Sequence, residues 1–512
     1  MLKKINVSLL SLIYICFMIV YMAIREVLPL NFLIENSLVS AAVFMPGFLL
    51  LLLDLFTAKK CINGRTQDLL LLFLVVCGVS SLINARFGLF GNIKCMAALL
   101  IEYFVFFCYA KNMPADQIKK SLNVISITLI ITWFVLVFAS LLTYFFGVDI
   151  SVSHYGAFSI TSQGFSFEYA RLWGLFQDPN YASIICLVSI LASVRLIAQK
   201  KKLILSILLG INIISQVFYI ILGGSRAALI LTIAAAFLYA LYKFILSPER
   251  ANAKETVKRI AAAVVCFAVC VGLLFGSKAA LPHIKTTLIP DNKTLAVGIG
   301  SGFDKLYSLS DLTFELTQRN NRGELVFSTS PDATVDPIVP DTQNPIDRTD
   351  LGKDDISNGR FKRWLQTLDI FLQTPLFGTS PRNLAAFAEV YNPETLMAKY
   401  DMAPHNGYLD VLVSTGIIGF AVLAAAILFA LFGILKRFLA NGFSQERAML
   451  LLSVIVFAGV AMFISDIYMT FSINSMFFWL FLGTAYHLDN DQPDGGIVWT
   501  VFHKFFSKKE SL

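Results

Sequence analysis

Residues 171–198 read RLWGLFQDPNYASIICLVSILASVRLIA. A polar mouth holding Arg171, Asp178, Pro179 and Asn180 opens onto an apolar run that starts near Tyr181 and spans 182–198. A run of that length matches a hydrocarbon core roughly 30 Å thick. Lipid offers no partner to backbone N–H and C=O groups, so such a run must be a helix. The same pattern recurs along the chain. Of its 512 residues 57% are hydrophobic and 15% charged, a composition too apolar for a soluble protein of this size. Apolar blocks lie at 7–24, 37–56, 68–84, 91–110, 121–147, 182–198, 203–222, 226–246, 259–276, 407–435, 447–468 and 470–487. They predict an all-α polytopic membrane protein with about 12 transmembrane helices. A β-barrel would show short alternating segments instead. The first block has no small-residue cleavage site and reads as a retained helix, not a signal peptide.

The net charge of +7 is not a nucleic-acid signature, because the basic residues sit in short clusters between the apolar blocks. With the N-terminus inside, on account of Lys3 and Lys4, every cytoplasmic gap is basic. These gaps hold Lys59, Lys60 and Arg65; Lys111, Lys119 and Lys120; Arg195 and Lys200 to Lys202; Lys243, Arg250, Lys254, Lys258 and Arg259; and Lys436, Arg437 and Arg447. The short opposite gaps hold isolated charges such as Arg25, Arg86, Lys94, Arg171 and Arg226. The positive-inside rule then predicts that both termini are cytoplasmic and that the 171–180 mouth faces outward. All eight cysteines fall in the first 270 residues, with no CxxC pair and no metal-ligand spacing.

The expected organisation is a helical region over 1–165, helices with the first arginine motifs over 166–276, a large external loop over 277–406, helices over 407–487 and a cytoplasmic tail over 488–512. Within the loop, 317–358 is polar and acidic and reads as a loosely packed excursion. GRFKRWLQTLDIFLQ (359–373) places Phe361, Trp364, Leu365, Leu368 and Phe371 or Leu372 at helical spacing. It reads either as an amphipathic helix at the outer membrane interface or as a helix of a small external subdomain.

Three outward-facing polar groups need explanation. Pro179 biases Asp178 away from helical geometry, so Asp178 or Asn180 is placed to cap the following helix; Arg171 alone reads equally as an interfacial snorkeller. In LGGSRAAL (222–229), Arg226 opens a helix against its macrodipole, which suggests an anion held between the guanidinium and the first-turn N–H groups. In APHNGYLD (403–410), His405 adjoins a helix start at Asn406, where the dipole favours the neutral, proton-accepting imidazole. Two arginines and a histidine at outer helix starts suit a lipid-linked pyrophosphate, whose charge grows as it leaves.

RLWGLFQDPNYAS (171–183), GGSRAAL (223–229), NGRFKRWLQTLDIFLQTPLFGTSPRNL (358–384) and HNGYLDVLVSTGIIGF (405–420), in this order around one large loop, resemble the O-antigen ligase and polymerase superfamily of bacterial membrane glycosyltransferases. The resemblance runs from about residue 170 to 485. It implies a GT-C-like helical fold in the bacterial inner membrane, with no metal or other cofactor. It also implies a glycan donor on undecaprenyl pyrophosphate and a glycan or lipid-linked acceptor whose hydroxyl attacks the anomeric carbon. By this likeness Arg171 and Arg226 hold the pyrophosphate and His405 orients or deprotonates the acceptor. Arg360 and Arg363 add charge, and Asp178, Asn180 and Asn406 line or shape the site. The chain departs from the family pattern after PLFG, where Gly378-Thr379-Ser380 replaces a GxG turn.

The likeness does not separate a polymerase of repeat units from a ligase onto lipid A core, since both need the same donor site; the long acidic loop, placed to face a growing chain, leans the reading to a polymerase. A transporter would need ionisable residues near the bilayer midplane. Glu102 is the main exception to their absence, with Asp466 toward the outer end of its block. A non-catalytic scaffold would not need Arg226 and His405 at helix starts. No phosphate-binding GxxxxGK[ST] loop is present.

Overall fold

Apolar blocks flanked by charge become long helices because only an internally bonded backbone survives in lipid. The structure, a computed structural model, describes residues 6–27, 37–57, 61, 64–113, 115–145, 148–156, 159–164, 171–199, 202–244, 253–288, 293–302, 312–319, 325–326, 359–441, 445–463 and 467–487. Most of the acidic segment 317–358, Asp466, and the 488–512 tail lie outside them.

Nine helices among the described residues are long and apolar enough to cross a membrane. They are α1 (Val7–Arg25), α2 (Ser37–Thr57), α3 (Arg65–Ile83), α4 (Phe90–Lys111), α5 (Ala115–Phe145), α6 (Pro179–Ala198), α7 (Leu203–Leu222), α9 (Ala253–Leu288) and α13 (Gly407–Asn441). Three shorter helices hold the remaining expected positions: α8 (Arg226–Phe244), α14 (Gln445–Phe463) and α15 (Ile473–His487). The protein is a polytopic membrane protein whose membrane bundle is all-α. α9 runs on to Leu288, beyond the apolar block that ends at 276.

α15 lies at the centre. Every residue from 471 to 486 is buried, as expected of a helix that is apolar all round. Its Trp479 packs on Tyr103 and Phe107 of α4, within the π-helical turn Glu102–Phe107. Ser475 Oγ donates to the buried Glu102 carboxylate. Glu102 therefore packs inside protein and away from lipid, the arrangement that intramembrane carboxylates require.

Outside the bundle the chain adds a feature that periodicity did not announce. Strands β1 (Val148–Gly156), β2 (Ser159–Gly164), β3 (Lys293–Gly302), β4 (Leu312–Arg319) and β5 (Leu325–Val326) form one sheet in the order β2-β1-β3-β4-β5. β1 and β3 pair in parallel, with Val148 opposite Leu295, and the other pairs are antiparallel. β1 follows α5 and β3 follows α9, so two distant membrane helices are tied together beyond their ends.

One end of the bundle, termed the loop face, collects the C-terminal ends of α1, α3, α7 and α14 and the N-terminal starts of α6, α8, α13 and α15. The helices α10 (Arg360–Gln373), α11 (Leu384–Tyr391) and α12 (Leu396–Tyr400) gather here. Ile370, Phe387, Ala388 and Met397 share an apolar cluster with Val413 of α13.

α13 is broken at Gly416, and residues 375–380 fill the break. Pro375 and Leu376 carbonyls accept from Ile417 and Ile418 N–H at 2.8 and 3.4 Å, while Thr379 and Ser380 N–H donate to Val413 and Ser414 carbonyls at 2.8 and 2.9 Å. The sequence departure at 380 is absorbed here. Ser380 takes a left-handed φ of 76°, the conformation that a glycine reaches without strain. Its Oγ accepts from Asn92 Nδ2 at 3.1 Å.

Candidate functional site

Pro179 at the first helical position and Asp178 as N-cap start α6, with Asp178 Oδ1 accepting from Asn180 N–H at 2.7 Å. That places Asn180 on the first turn with its side chain turned back along the mouth. There its Oδ1 accepts from an Arg171 terminal nitrogen at 2.8 Å. Arg171 Nε donates to the Gly223 carbonyl at 2.8 Å, and Leu172 N–H donates to the Leu222 carbonyl at 2.8 Å. Tyr219 OH reaches the Trp173 carbonyl at 3.0 Å. The 171–180 mouth is therefore bound directly to the glycine turn that ends in Arg226, although the two lie far apart in sequence. Arg171 is 5% exposed, and these two acceptors are neutral, so they orient the guanidinium without cancelling its charge.

Gly224 turns the chain left-handed, and Ser225 Oγ accepts from Ala228 N–H at 3.3 Å, capping α8. Arg226 itself is exposed. On α13, Asn406 caps the helix, its Oδ1 accepting from Tyr408 and Leu409 N–H at 3.0 and 3.2 Å. Asn406 is thus committed to the backbone, as Asp178 is. His405 is exposed and has φ of 52°. A left-handed non-glycine residue is uncommon, and such strain gathers at functional sites.

The helices that begin at Arg226 and near His405 flank the same two residues of α14. Tyr408 OH donates to the Ala458 carbonyl at 3.0 Å. On the neighbouring Gly459, an added Cβ would meet Leu231 of α8 at 2.6 Å. Arg360 and Arg363 open α10, both half-buried. Burial holds the Arg363 guanidinium below its ordinary pKa, yet it stays charged at neutral pH. The structure thus joins Arg171, Asp178, Asn180 and the 223–226 turn by direct bonds. It sets His405 and Asn406 across α14, and puts Arg360 and Arg363 on a separate helix of the loop face.

A non-helical segment, 467–472, ties these parts together. Its Phe471 carbonyl accepts from Arg25 Nη1 at 3.2 Å, its Tyr468 carbonyl from Tyr103 OH at 3.0 Å, and its Met469 carbonyl from Arg382 at 3.5 Å. The Tyr468 ring lies 5.4 Å from that of Tyr408.

Residues 211–424 match the family model described as O-antigen ligase. This part of the chain is similar to the O-antigen ligase family. The match supports a likeness to the O-antigen ligase and polymerase superfamily over that part of the chain. Arg226, Arg360, Arg363, His405 and Asn406 fall inside the match, and Arg171, Asp178 and Asn180 before it. No curated protein matches the chain.

Sequence reading missed Glu26. The end of α1 is stitched to the mouth: Gln177 N–H donates to the Glu26 carbonyl at 3.0 Å, Gln177 Nε2 to the Arg25 carbonyl at 2.8 Å, and Val27 bridges Phe176. The residue keeps some exposed surface, but its carboxyl is closely surrounded. That burial pushes it up to about 7; Arg25 opposes the shift, and Asp178 adds to it. The only advance signal was a carboxylate directly following the arginine at the end of an apolar block.

The folded protein therefore holds the Glu26 proton more tightly than the unfolded chain, whose value is 4.5. The folded state binds the extra proton between those values, so stability falls as pH rises through that window, and the penalty is complete above about 7. Glu26→Gln removes it. The variant is expected to gain about 1–3 kcal/mol near pH 8 and little near pH 5. Thermal unfolding of purified protein at the two pH values would measure this; an equal shift at both would disprove the assignment.

Proposed function

We propose that this protein transfers a glycan from an undecaprenyl-pyrophosphate donor to an acceptor hydroxyl at the outer leaflet of the bacterial inner membrane, acting as a polymerase of surface polysaccharide repeat units. Both termini are cytoplasmic, and the loop face is the outer one. The observation that carries the reading is the buried Arg171 clasping the glycine turn that ends in Arg226. That bond fixes the Arg171 guanidinium to the backbone turn from which the exposed Arg226 departs, so the two cations would together cradle a pyrophosphate.

The acceptor oxygen attacks the anomeric carbon as the bond from that carbon to the pyrophosphate oxygen breaks, with inversion. The leaving group keeps the bonding electron pair, and Arg171 and Arg226 neutralise its growing charge. His405 takes the acceptor proton. Arg360 adds positive charge from α10, with Arg363 behind it. Asp178, Asn180 and Asn406 shape the site through their backbone and arginine bonds. On this reading the donor itself supplies the free energy and the arginines take the charge-neutralising role, so no metal or other cofactor enters the step. The partners are the lipid-linked donor, a glycan or lipid-linked acceptor and the surrounding lipids, with no nucleic acid.

A complementation assay tests this. Cells lacking the gene are restored with wild type, Arg226→Ala or His405→Ala at matched membrane levels, and surface glycan is resolved on a gel. Loss of long chains, with single repeats still attached to the acceptor, is expected. Loss of all attached glycan, with polymer left on its lipid carrier, would make the enzyme a ligase. An unchanged ladder in both variants would defeat the catalytic reading and favour a transporter or scaffold.

A further inference from the structure

Helix α10 has two apolar faces, and the bundle uses one. Ile370 is fully buried against Val413 of α13, and the neighbouring Gln366 accepts from Leu396 N–H at 3.0 Å. On the opposite side Phe361, Leu365, Leu368 and Leu372 recur at i, i+4, i+7 and i+11, within an arc of about 60° at 3.6 residues per turn. They are 64, 64, 38 and 69% exposed. Leu376, just beyond the helix, continues the line and is also exposed. The stripe differs from the face read from sequence: Trp364 and Phe371 are half-buried on its flank. A contiguous row of this kind is not left to water without a function.

Three observations identify what covers it. The first is height. The turn after α10 is fastened where membrane helices end: Asn84, the C-cap of α3, donates to the Gly378 carbonyl at 2.9 Å. Pro375 and Leu376 carbonyls also bond into the break of the long apolar helix α13. Leu372 and Leu376 therefore stand at the membrane boundary and not above it. The second is continuity: Leu82 and Ile83 ending α3, and Phe90 and Ile93 beginning α4, are large apolar residues exposed at that level, with the cations Arg86 and Lys94 exposed beside them. The third is charge. Lys362 lies on one flank of the stripe beside Asp369, and Arg360 lies beyond Trp364 on the other. Cations and an indole bordering an apolar face are what a headgroup region accommodates.

We propose that the Phe361–Leu372 stripe of α10 is seated in the lipid leaflet at the loop face, with Lys362 against anionic headgroups. The helix then lies flat in the boundary. Its depth is set from two sides, by lipid on the stripe and by the 375–380 turn on α13. Seating the helix this way holds Arg360 and Arg363 at phosphate height. The proposal concerns lipid contact alone and stands whether or not the protein transfers glycan.

The test uses the full chain in nanodiscs of phosphatidylethanolamine and phosphatidylglycerol. Leu365→Cys and Leu372→Cys are each labelled with bimane. Glu394→Cys, whose parent side chain is 89% exposed on the same group of helices, serves as the water-facing reference, and labelled wild type is the blank for native cysteines. Doxyl-labelled lipid is then added. Quenching at 365 and 372 severalfold above that at 394 is expected, together with slow reaction of both thiols with a membrane-impermeant maleimide. Weak quenching with fast maleimide reaction would mean that the stripe faces water, and would overturn the proposal. Weak quenching with slow reaction would mean that protein covers it, either another segment of this chain or a second copy, and would overturn it as well.

Discussion

Replacing Arg171 with lysine is expected to lower glycan transfer by at least about 100-fold, although the charge is kept. The reason lies in the fork of the guanidinium. Nε and one terminal nitrogen donate to two acceptors, Gly223 O and Asn180 Oδ1, each at 2.8 Å. A lysine ammonium is a single point on a flexible stem and cannot hold both directions at once. Losing the Gly223 bond loosens the turn that leads into Arg226, leaving Leu172 N–H on the Leu222 carbonyl to hold it, so one substitution would disturb both of the proposed phosphate-binding arginines. Asn180→Ala leaves the Gly223 bond in place and is expected to cost only about 10-fold. The measurement is release of lipid pyrophosphate from a synthetic donor by protein in nanodiscs, with unfolding temperature followed in parallel. Lysine activity within a few-fold of wild type would show that net charge suffices and that the clasp has no catalytic consequence.

The contrast between what was legible and what was not follows from sequence distance. Block length and charge asymmetry placed the membrane helices because both are local properties. Hydropathy could not say what surrounds a helix. Residues 470–487 read as one more span like the others, and only the structure shows that the helix there, Ile473–His487, is enclosed by protein. The β1–β3 pairing was invisible because it joins 148–155 to 295–302, and no local pattern encodes a partner that far away. In the site, Asp178 as a cap was readable from the following proline, and Asn406 from its place before an apolar run. That Arg171 bonds Gly223 was not, since either motif alone reads as an ordinary loop. Glu26 was hidden for another reason. Its chemistry comes from burial beside Asp178 and the mouth, and burial at the end of a span has no sequence signal.

Gly416→Ala, which adds only a methyl group, is expected to cost at least about 4 kcal/mol of stability. Gly416 has φ 66° and ψ −174°, a region essentially closed to residues with a Cβ. The space is closed too. An added Cβ would lie 2.2 Å from Leu376 O, 2.3 Å from Leu376 C and 2.5 Å from Phe377 N. These are backbone atoms and cannot rotate aside. Moving them would break the bonds from Ile417 and Ile418 that replace the interrupted helical ladder. Purified Gly416→Ala should unfold on the order of 5–10 °C lower than wild type, if it is recovered as a single species at all. Gly210→Ala is the matched control: it lies in helix α7 with nothing within 4 Å of the new Cβ and is expected to be neutral or more stable by up to about 1 kcal/mol. Equal behaviour of the two variants would show that the turn does not lock the break. The lock matters for the site because the part of α13 before Gly416 carries Asn406, with His405 directly ahead of it. Its direction is set by the same turn that fastens α10, so the histidine and the loop arginines are positioned by one joint.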